Sequence, residues 1–350
     1  MSLVTQVPIP SLVRVKPGAL DRIGIYLRRA GHSPVVLIAS EGLVPHYAAR
    51  VARSLDDQRV ECRGTCDISD ATYDLASSLF TSLPRGLRAI VGLGGGKALD
   101  VAKYVAFLAR LPYYAVPTSL SNDGFASPQS SLKIAGRRRS LAAAIPYAVI
   151  LDLEVCRDAP RPLWLSGIGD LAAKLTAIYD WKLAFHRRGE PVNDFAALLS
   201  DATVYQFLAE PSFDLEGARL LGTALLLNGI AMEISGSSRP ASGSEHLISH
   251  ALDAITSRPR LHGLQVGVAT YIISRVQDNQ SERILNLFDR TGFWAEVRSD
   301  PFSRAEWEQA IELAPTMKDD FYTVLSEPEG RACAWKVLHR DPALEGCFTV

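Results

Sequence analysis

The sequence is poor in cysteine. Five occur in 350 residues, at Cys62, Cys66, Cys156, Cys333 and Cys347. Only Cys62 and Cys66 are close, and no second pair completes a zinc-ribbon spacing. This argues against a disulfide framework and reads as a reduced, cytoplasmic chain. Neither sign of charge is in excess: 37 Lys and Arg stand against 38 Asp and Glu. That balance argues against nucleic acid or a membrane surface as the main partner. No basic run exceeds Arg137-Arg138-Arg139, which reads as a solvated turn. The longest strongly apolar uncharged stretch, residues 220–232, is too short to span a bilayer and reads as a buried helix. The first fifteen residues lack a charged start followed by an apolar core, so no secretory leader is expected. No internal repeat or low-complexity tract is present. What remains is a chain of enzyme-like composition, long enough for two domains.

The first half alternates strand-like and helix-like patterns. Residues 11–15 read as a strand stopped by Pro17-Gly18, and residues 19–29 as a helix carrying Leu20, Ile23 and Leu27 on one face. Residues 35–39 form an unbroken apolar run, the mark of a strand covered on both faces. A turn at 40–42, a helix over 44–55, a strand over 60–64 and a helix over 73–83 follow. Further strands are expected at 89–93, 113–116 and 148–152. The alternation predicts an α/β domain with a mostly parallel, Rossmann-like sheet over residues 1–158. After Asp158-Ala159-Pro160-Arg161-Pro162 strand-like runs become rare. Residues 159–350 therefore read as an all-helical domain, with helices expected from 166, over 177–188, 194–208, 214–234, 266–276, 282–287 and 304–313.

Three stretches carry chemistry. In the first, a buried strand runs into Gly94-Gly95-Gly96 and then into a helix containing Lys97 and Asp100. Glycines let the backbone approach a ligand, and a helix start presents free N–H groups, so this is an anion site of the diphosphate kind. It is neither the six-position dinucleotide fingerprint nor a Walker loop. In the second, a strand ends in Pro117-Thr118-Ser119, and a loop with Asp123 and Ser127 follows. Open α/β sheets bind ligands at such carboxyl ends. The third stretch is residues 235–263. His246 and His250 are four apart and share one helix face; His262 arrives separately after Pro259. Ser242 or Ser244 is a candidate helix cap. Two imidazoles on one helix turn with a third from elsewhere is how a mononuclear metal site is built. Asp170, read as lying near a helix start, is the natural further ligand to join His246 and His262, and Lys174 one turn on would face the same way.

Taken together, the blocks GLGGGKALDVAK, VPTSLSNDGFASP, SGIGDLAAKLTAIYDWKLA, GSSRPASGSEHLISHALD and LHGLQVGV resemble the glycerol-1-phosphate dehydrogenase branch of the iron-containing alcohol dehydrogenase superfamily, whose fold is shared with dehydroquinate synthase. They run in the family's order from Gly92 to Val268; TMKDDFYTVLS, from Thr316, is a weaker match. The resemblance implies a nucleotide-binding domain, a helical domain and an active site in the cleft between them. It implies that Gly94, Gly95, Gly96, Lys97 and Asp100 bracket the diphosphate of NAD(H) or NADP(H), and that Thr118, Ser119, Asp123 and Ser127 line the nicotinamide and substrate side. Asp170, His246 and His262 match the metal ligands, with zinc, nickel or iron as the ion. His250 matches a histidine close to the reacting centre. Lys174 and Arg239 are the nearest cations for a substrate phosphate. The implied reaction is reduction of dihydroxyacetone phosphate to sn-glycerol 1-phosphate, with another polyol, cyclitol or sugar phosphate, or a sugar-phosphate cyclase, as alternatives. A small phosphorylated ketone or polyol is the partner, and a homo-oligomer is a family expectation. Asn122, Leu264 and Phe321 depart from the family's usual histidine, glutamate and arginine. After the second strand, Glu41 would accept ribose hydroxyls and disfavour a 2′-phosphate, with Ser40 leaving the choice open.

Overall fold

Runs of β-branched and small apolar residues dictate the sheet of the first unit. The computed structural model describes residues 7–43 and 45–349. The reading of the first fifteen residues therefore falls partly outside the described residues, as does Val44, the expected start of a helix. The chain divides into two compact units, Met1–Ala159 and Pro160–Val350.

The first unit contains β1 (Leu12–Lys16), α1 (Ile23–Ala30), β2 (Val35–Ser40), α2 (Pro45–Asp57), β3 (Cys62–Ile68), α3 (Tyr73–Thr81), β4 (Ala89–Gly94), α4 (Gly96–Ala109), β5 (Tyr113–Pro117), β6 (Gln129–Ile134), β7 (Arg137–Ala142), β8 (Ala148–Asp152) and α5 (Leu153–Arg157). Its main sheet has the order β1-β8-β5-β4-β2-β3, and every pairing is parallel. Alternate residues of the central strands (Val35, Leu37, Ala39, Val91, Leu93, Ile150) meet Leu20, Ile23, Leu27, Val51 and Leu55 in one core. Burying each such large side chain stabilises the unit by about 1.5–3 kcal/mol. Helix α4 covers the opposite face, so close that a Cβ on Gly92 would lie 2.8 Å from Ala102. Coverage on both faces is why β2, β4, β5 and β8 read as unbroken apolar runs. After β2 the chain adds β3 on one side, then returns to place β4 on the other. Strand order thus reverses between β2 and β4, the crevice in which such sheets take ligands.

Two expectations are corrected here. The strand expected at 60–64 is β3, two residues later. Val60 is buried at the end of α2, its N–H bonded to Leu55 O at 2.9 Å, whereas β3 is a largely exposed edge strand with no apolar signal. Arg137-Arg138-Arg139 is not a turn but the start of β7, antiparallel to β6 with Leu132 opposite Arg139. The turn is Ala135-Gly136, with φ of 49° and 77°. The arginines stay solvated on the strand, which is why they carried no strand pattern.

The second unit contains α6 (Arg161–Arg188), α7 (Asp194–Ala209), α8 (Leu215–Ser235), α9 (Ser244–Ile255), α10 (His262–Val276), α11 (Ser281–Thr291), α12 (Phe293–Ser299), β9 (Phe302–Ser303), α13 (Arg304–Leu313), α14 (Pro328–Arg340) and β10 (Phe348–Thr349). It is mostly helical rather than all-helical, because β9 and β10 pair in parallel. Two residues per strand are too few to leave a periodic pattern; Phe302 and Phe348 are fixed by packing on Trp307. The helices expected from 166 and at 177–188 are one 28-residue helix, α6. Pro162 lies in its first turn, where a missing N–H costs nothing. Asp170 consequently sits in the helix interior, not near its start. Helix α8 is long and apolar enough to cross a membrane by length and composition, but 61% of its most apolar window is buried within the structure, so it is a core helix.

Glycines set the crossing of α6 and α10. A Cβ on Gly263 would lie 1.8 Å from Ser166 O, and one on Gly169 would lie 2.0 Å from Gly263 O. No residue with a side chain fits at either position without moving a helix backbone. The contact brings the neighbours of these glycines, Asp170 and His262, to one place.

Candidate metal centre and cofactor loop

Helices α6, α9 and α10 each contribute one group to a cluster. Asp170 comes from α6, His246 from α9 and His262 from the first residue of α10, with one ligand atom from each lying within 4.8 Å of the others. His246 Nε2 is 3.4 Å and His262 Nε2 is 3.8 Å from Asp170 Oδ1. Asp170 is buried, and His262 is the most exposed of the three at 27%. The His250 ring lies 6.4 Å from both other imidazoles, centroid to centroid.

The far side of each imidazole is held. His246 Nδ1 meets Glu245 Oε1 at 2.9 Å, and Glu245 in turn accepts from Gly243 N at 2.5 Å and Thr176 Oγ1 at 2.8 Å. His262 Nδ1 meets Ser249 Oγ at 3.2 Å, and that hydroxyl lies 2.9 Å from Gln265 Oε1. These partners fix which nitrogen faces the cluster, so both Nε2 atoms turn toward Asp170. Ser249 and Gln265 thereby support His262 although Leu264 occupies the family's glutamate position. The expected Ser242 or Ser244 cap of α9 is absent. Gly243 stands at the cap with no side-chain bond, and Asp180 from α6 accepts the Ser244 N–H at 2.7 Å instead. The start of α9 is thus anchored from another helix, which no local sequence signal records.

Charge at the cluster is balanced from within. Burial opposes ionisation of Asp170, but the Lys174 ammonium and the two imidazoles hold its carboxyl well below the usual range. Lys174 Nζ is 3.5 Å from Asp170 Oδ2 and donates to Ala241 O at 3.2 Å. Burial also works against the charged form of His246, yet its bonds to Asp170 and Glu245 raise it above the ordinary histidine value. Asp180 goes the other way: burial and the Glu245 charge push its carboxyl up to about 6, against N–H bonds from Ser244 and Val324. One carboxylate oxygen and two oriented imidazole nitrogens are a donor set that fits a divalent ion.

The glycine loop is built in the first unit. Gly94 has φ of +131°, and a Cβ there would lie 2.2 Å from Ser40 Oγ. The Ser40 hydroxyl, at the end of β2, accepts the Gly95 N–H at 3.0 Å. The loop is thus clamped across the strand-order reversal, with the start of α4 next to it. Lys97 is exposed and bonds Ser69 O at 3.1 Å. Thr118 N–H donates to Gly94 O at 3.0 Å, tying the second loop to the first, and Ser119 is buried. Asn122 Oδ1 accepts the Gly124 N–H at 2.9 Å and shapes the turn that carries Asp123.

Lys103 is a residue the sequence reading passed over. It is buried, and its ammonium donates to Gly124 O at 2.5 Å and Gln129 O at 2.6 Å, with Ser127 Oγ at 3.4 Å and Asp100 at 3.7 Å. One lysine therefore holds the loop of Asp123 and Ser127 onto α4. Burial pushes the Asp100 carboxyl up to about 6, against the pull of Lys103 and a Ser131 N–H. The i, i+3 spacing of Asp100 and Lys103 was the available signal. Arg239, expected near the substrate phosphate, is held by contacts within the protein. It is buried, paired with Glu190 through Nε (2.7 Å) and Nη2, donates from Nη1 to Tyr322 O at 2.8 Å, and stacks 3.6 Å over Phe321. Three of its five N–H donors are thereby engaged within the protein.

Comparison with known proteins agrees with this architecture. Residues 14–160 match the family model described as iron-containing alcohol dehydrogenase. The chain is 35% identical over 329 residues to the glycerol-1-phosphate dehydrogenase, NAD(P)+, of Aeropyrum pernix, covering 92% of this chain and 93% of that one. It is 34% identical to the protein of that name from Saccharolobus solfataricus, covering 94% of each. Among solved structures, glycerol dehydrogenase from Schizosaccharomyces pombe superposes with a TM-score of 0.75 at 20% identity, over 96% of this chain and 91% of that one. A probable glycerol dehydrogenase from Sinorhizobium meliloti gives 0.74 at 17%, over 95% and 97%.

Proposed function

We propose, from the premise that this chain belongs to the iron-containing alcohol dehydrogenase family and within it to the glycerol-1-phosphate dehydrogenases, that it reduces dihydroxyacetone phosphate to sn-glycerol 1-phosphate with NADH or NADPH. The observation that carries this reading is the convergence of Asp170, His246 and His262 in a chain that spans nine-tenths of named glycerol-1-phosphate dehydrogenases.

In this reading the first unit holds the nucleotide and the second holds the metal and the ketone. Asp170, His246 and His262 are the metal ligands. The ion, when bound, supplies Lewis-acid polarisation of the ketone carbonyl. Lys174 neutralises the carboxylate of Asp170 and keeps it ionised. Glu245 and Ser249 keep the imidazoles oriented, so binding the ion costs little reorganisation. Gly94, Gly95, Gly96, Lys97 and Asp100 bracket the diphosphate, with backbone N–H groups at the start of α4 as donors. Thr118, Ser119 and Ser127 line the nicotinamide side, and Asp123 orients the substrate. The nicotinamide, when bound, would supply the hydride equivalent, and the proton would be supplied by His250 or by water. Zinc is the ion this reading favours, with nickel and iron accommodated by the same nitrogen and oxygen donors.

The protein is read as cytoplasmic, in keeping with its five free cysteines. It is read as a homo-oligomer, in which Phe195 and Leu198 on α7, 61% and 65% exposed, are side chains an interface would cover. The test is direct. Purified protein is loaded with each metal in turn, mixed with dihydroxyacetone phosphate and NADH or NADPH, and followed by cofactor absorbance, with chiral analysis of the product. Cofactor oxidation yielding sn-glycerol 1-phosphate is the expected result. Phosphate release without net cofactor oxidation would favour a cyclase instead and would sink this reading.

A further inference from the structure

We propose that Lys318 and Ser238 form the anion subsite that receives the phosphate monoester of the substrate. This rests on the proposed function; Ser238 lies in the block GSSRPASGSEHLISHALD and Lys318 in TMKDDFYTVLS.

The loop between α8 and α9 carries Arg239 and meets Lys174 and Lys318. Lys174 Nζ donates to Ala241 O in that loop and sits on Asp170. Arg239 is spent on Glu190 and Tyr322 O. Lys318 differs from both. Its ammonium donates to Ser238 Oγ at 2.9 Å and lies 4.6 Å from the centre of the Phe321 ring; among the described residues no carboxylate pairs with it. A half-buried cation with no carboxylate in direct contact, and only the Glu245 charge at longer range, is costly unless a ligand brings further negative charge.

Phe321 explains how the charge is tolerated meanwhile. Arg239 stacks on the ring at 3.6 Å and Lys318 approaches it at 4.6 Å, so one aromatic ring holds two cations. An arginine at this position would add a third positive charge; phenylalanine attracts the two without neutralising them. Ser238 accepts from Lys318, which leaves its O–H to donate to a phosphate oxygen. An ammonium plus a hydroxyl, fixed beside a guanidinium, is phosphate chemistry.

The subsite is tied to the metal cluster through the same loop. Ser238 O accepts from Ala241 N and Ser242 N at 3.0 and 2.8 Å, making a compact turn. That turn leads to Gly243, whose N–H bonds the Glu245 carboxylate that holds His246. Burial and the Arg239 charge pull the Lys318 ammonium down to about 8, with Glu245 opposing. Those two groups face it from the loop and from α9. A bound phosphate would raise it again.

The test uses the full-length protein and the variants Lys318→Gln, Lys318→Arg and Ser238→Ala, each checked for thermal unfolding and metal content. Inorganic phosphate is titrated by calorimetry, and kcat/KM is compared for dihydroxyacetone phosphate and dihydroxyacetone. Phosphate affinity is expected to fall at least about tenfold in Lys318→Gln and less in Ser238→Ala, and to be largely kept in Lys318→Arg. The preference for the phosphorylated ketone should fall with it. Relative to that of Lys318→Arg, wild-type phosphate affinity should weaken as pH rises through about 8. Wild-type phosphate affinity in Lys318→Gln would overturn the subsite. A wild-type protein that binds phosphate through Lys318 but reduces no ketone would overturn the proposed function and leave the subsite standing.

Discussion

Glu245 and His246 are neighbours in sequence and also in space: the carboxylate of one accepts from Nδ1 of the other at 2.9 Å, on the first turn of α9. Adjacent helical residues do not ordinarily face each other. Here Glu245 can reach back because it also bonds the N–H of Gly243, curling over the helix start. The result is a histidine whose other nitrogen points at Asp170.

Glu245→Gln should therefore weaken metal binding without removing a ligand. A loss of about 10–100-fold in affinity is expected, as for other groups that orient a metal-bound histidine. Competition against a chelator of known affinity measures it. Unchanged affinity would mean His246 is oriented by packing alone. Ser249→Ala should act in the same direction through His262.

Asp170 and Lys174 are a buried ion pair as well as a prospective ligand and its counter-charge. Asp170→Asn should destabilise the metal-free protein by about 3–5 kcal/mol, because a buried ion pair is broken by removing the carboxylate charge beside Lys174. Replacing both, as Asp170→Asn with Lys174→Met, should recover much of that stability while metal binding stays lost. Denaturant unfolding with metal analysis separates the two effects.

Gly263→Ala should be severe, since its Cβ would lie 1.8 Å from the Ser166 carbonyl oxygen. Forcing α6 and α10 apart is expected to cost about 1–3 kcal/mol or more and to weaken metal binding by displacing His262 from Asp170. Gly64→Ala, whose Cβ would meet nothing within 4 Å, is the control. Equal unfolding midpoints for the two variants would refute the helix-crossing argument.

Asp180 provides a pH signature. Its folded pKa is raised to about 6, so between the ordinary carboxyl value and 6 the folded protein keeps a proton that the unfolded chain has lost. Its contribution is fully present below about pH 4 and declines as pH rises through 6. Asp180→Asn lacks this dependence, so its stability deficit against the wild type should shrink by roughly 1–3 kcal/mol from pH 4 to pH 7. Denaturation at both pH values tests this, and a deficit that grows toward pH 7 would contradict it.

Much of the first unit was legible because sheet burial writes itself into sequence. The runs around Val35, Ile90 and Tyr113 are apolar along their whole length since helices cover both faces. The β6–β7 hairpin was not legible, because its arginines face water and nothing forces an alternation. The stretch 158–162 reads as the point where the chain's character changes; the two compact units divide between Ala159 and Pro160, and α6 starts there because proline in a helix's first turn interrupts no hydrogen bond.

The sequence by itself determined the glycine loop after β4, the shared face of His246 and His250, and the residue types able to hold a divalent ion. These depend on short-range geometry, in which spacing along the chain fixes spacing in space. Only the tertiary structure decided which charges are free to act. Arg239 and Lys318 look alike as cations in a sequence, but one meets Glu190 and the other meets a hydroxyl and an aromatic ring. A charge takes its role from its partners, and those partners come from distant stretches brought together by helix packing.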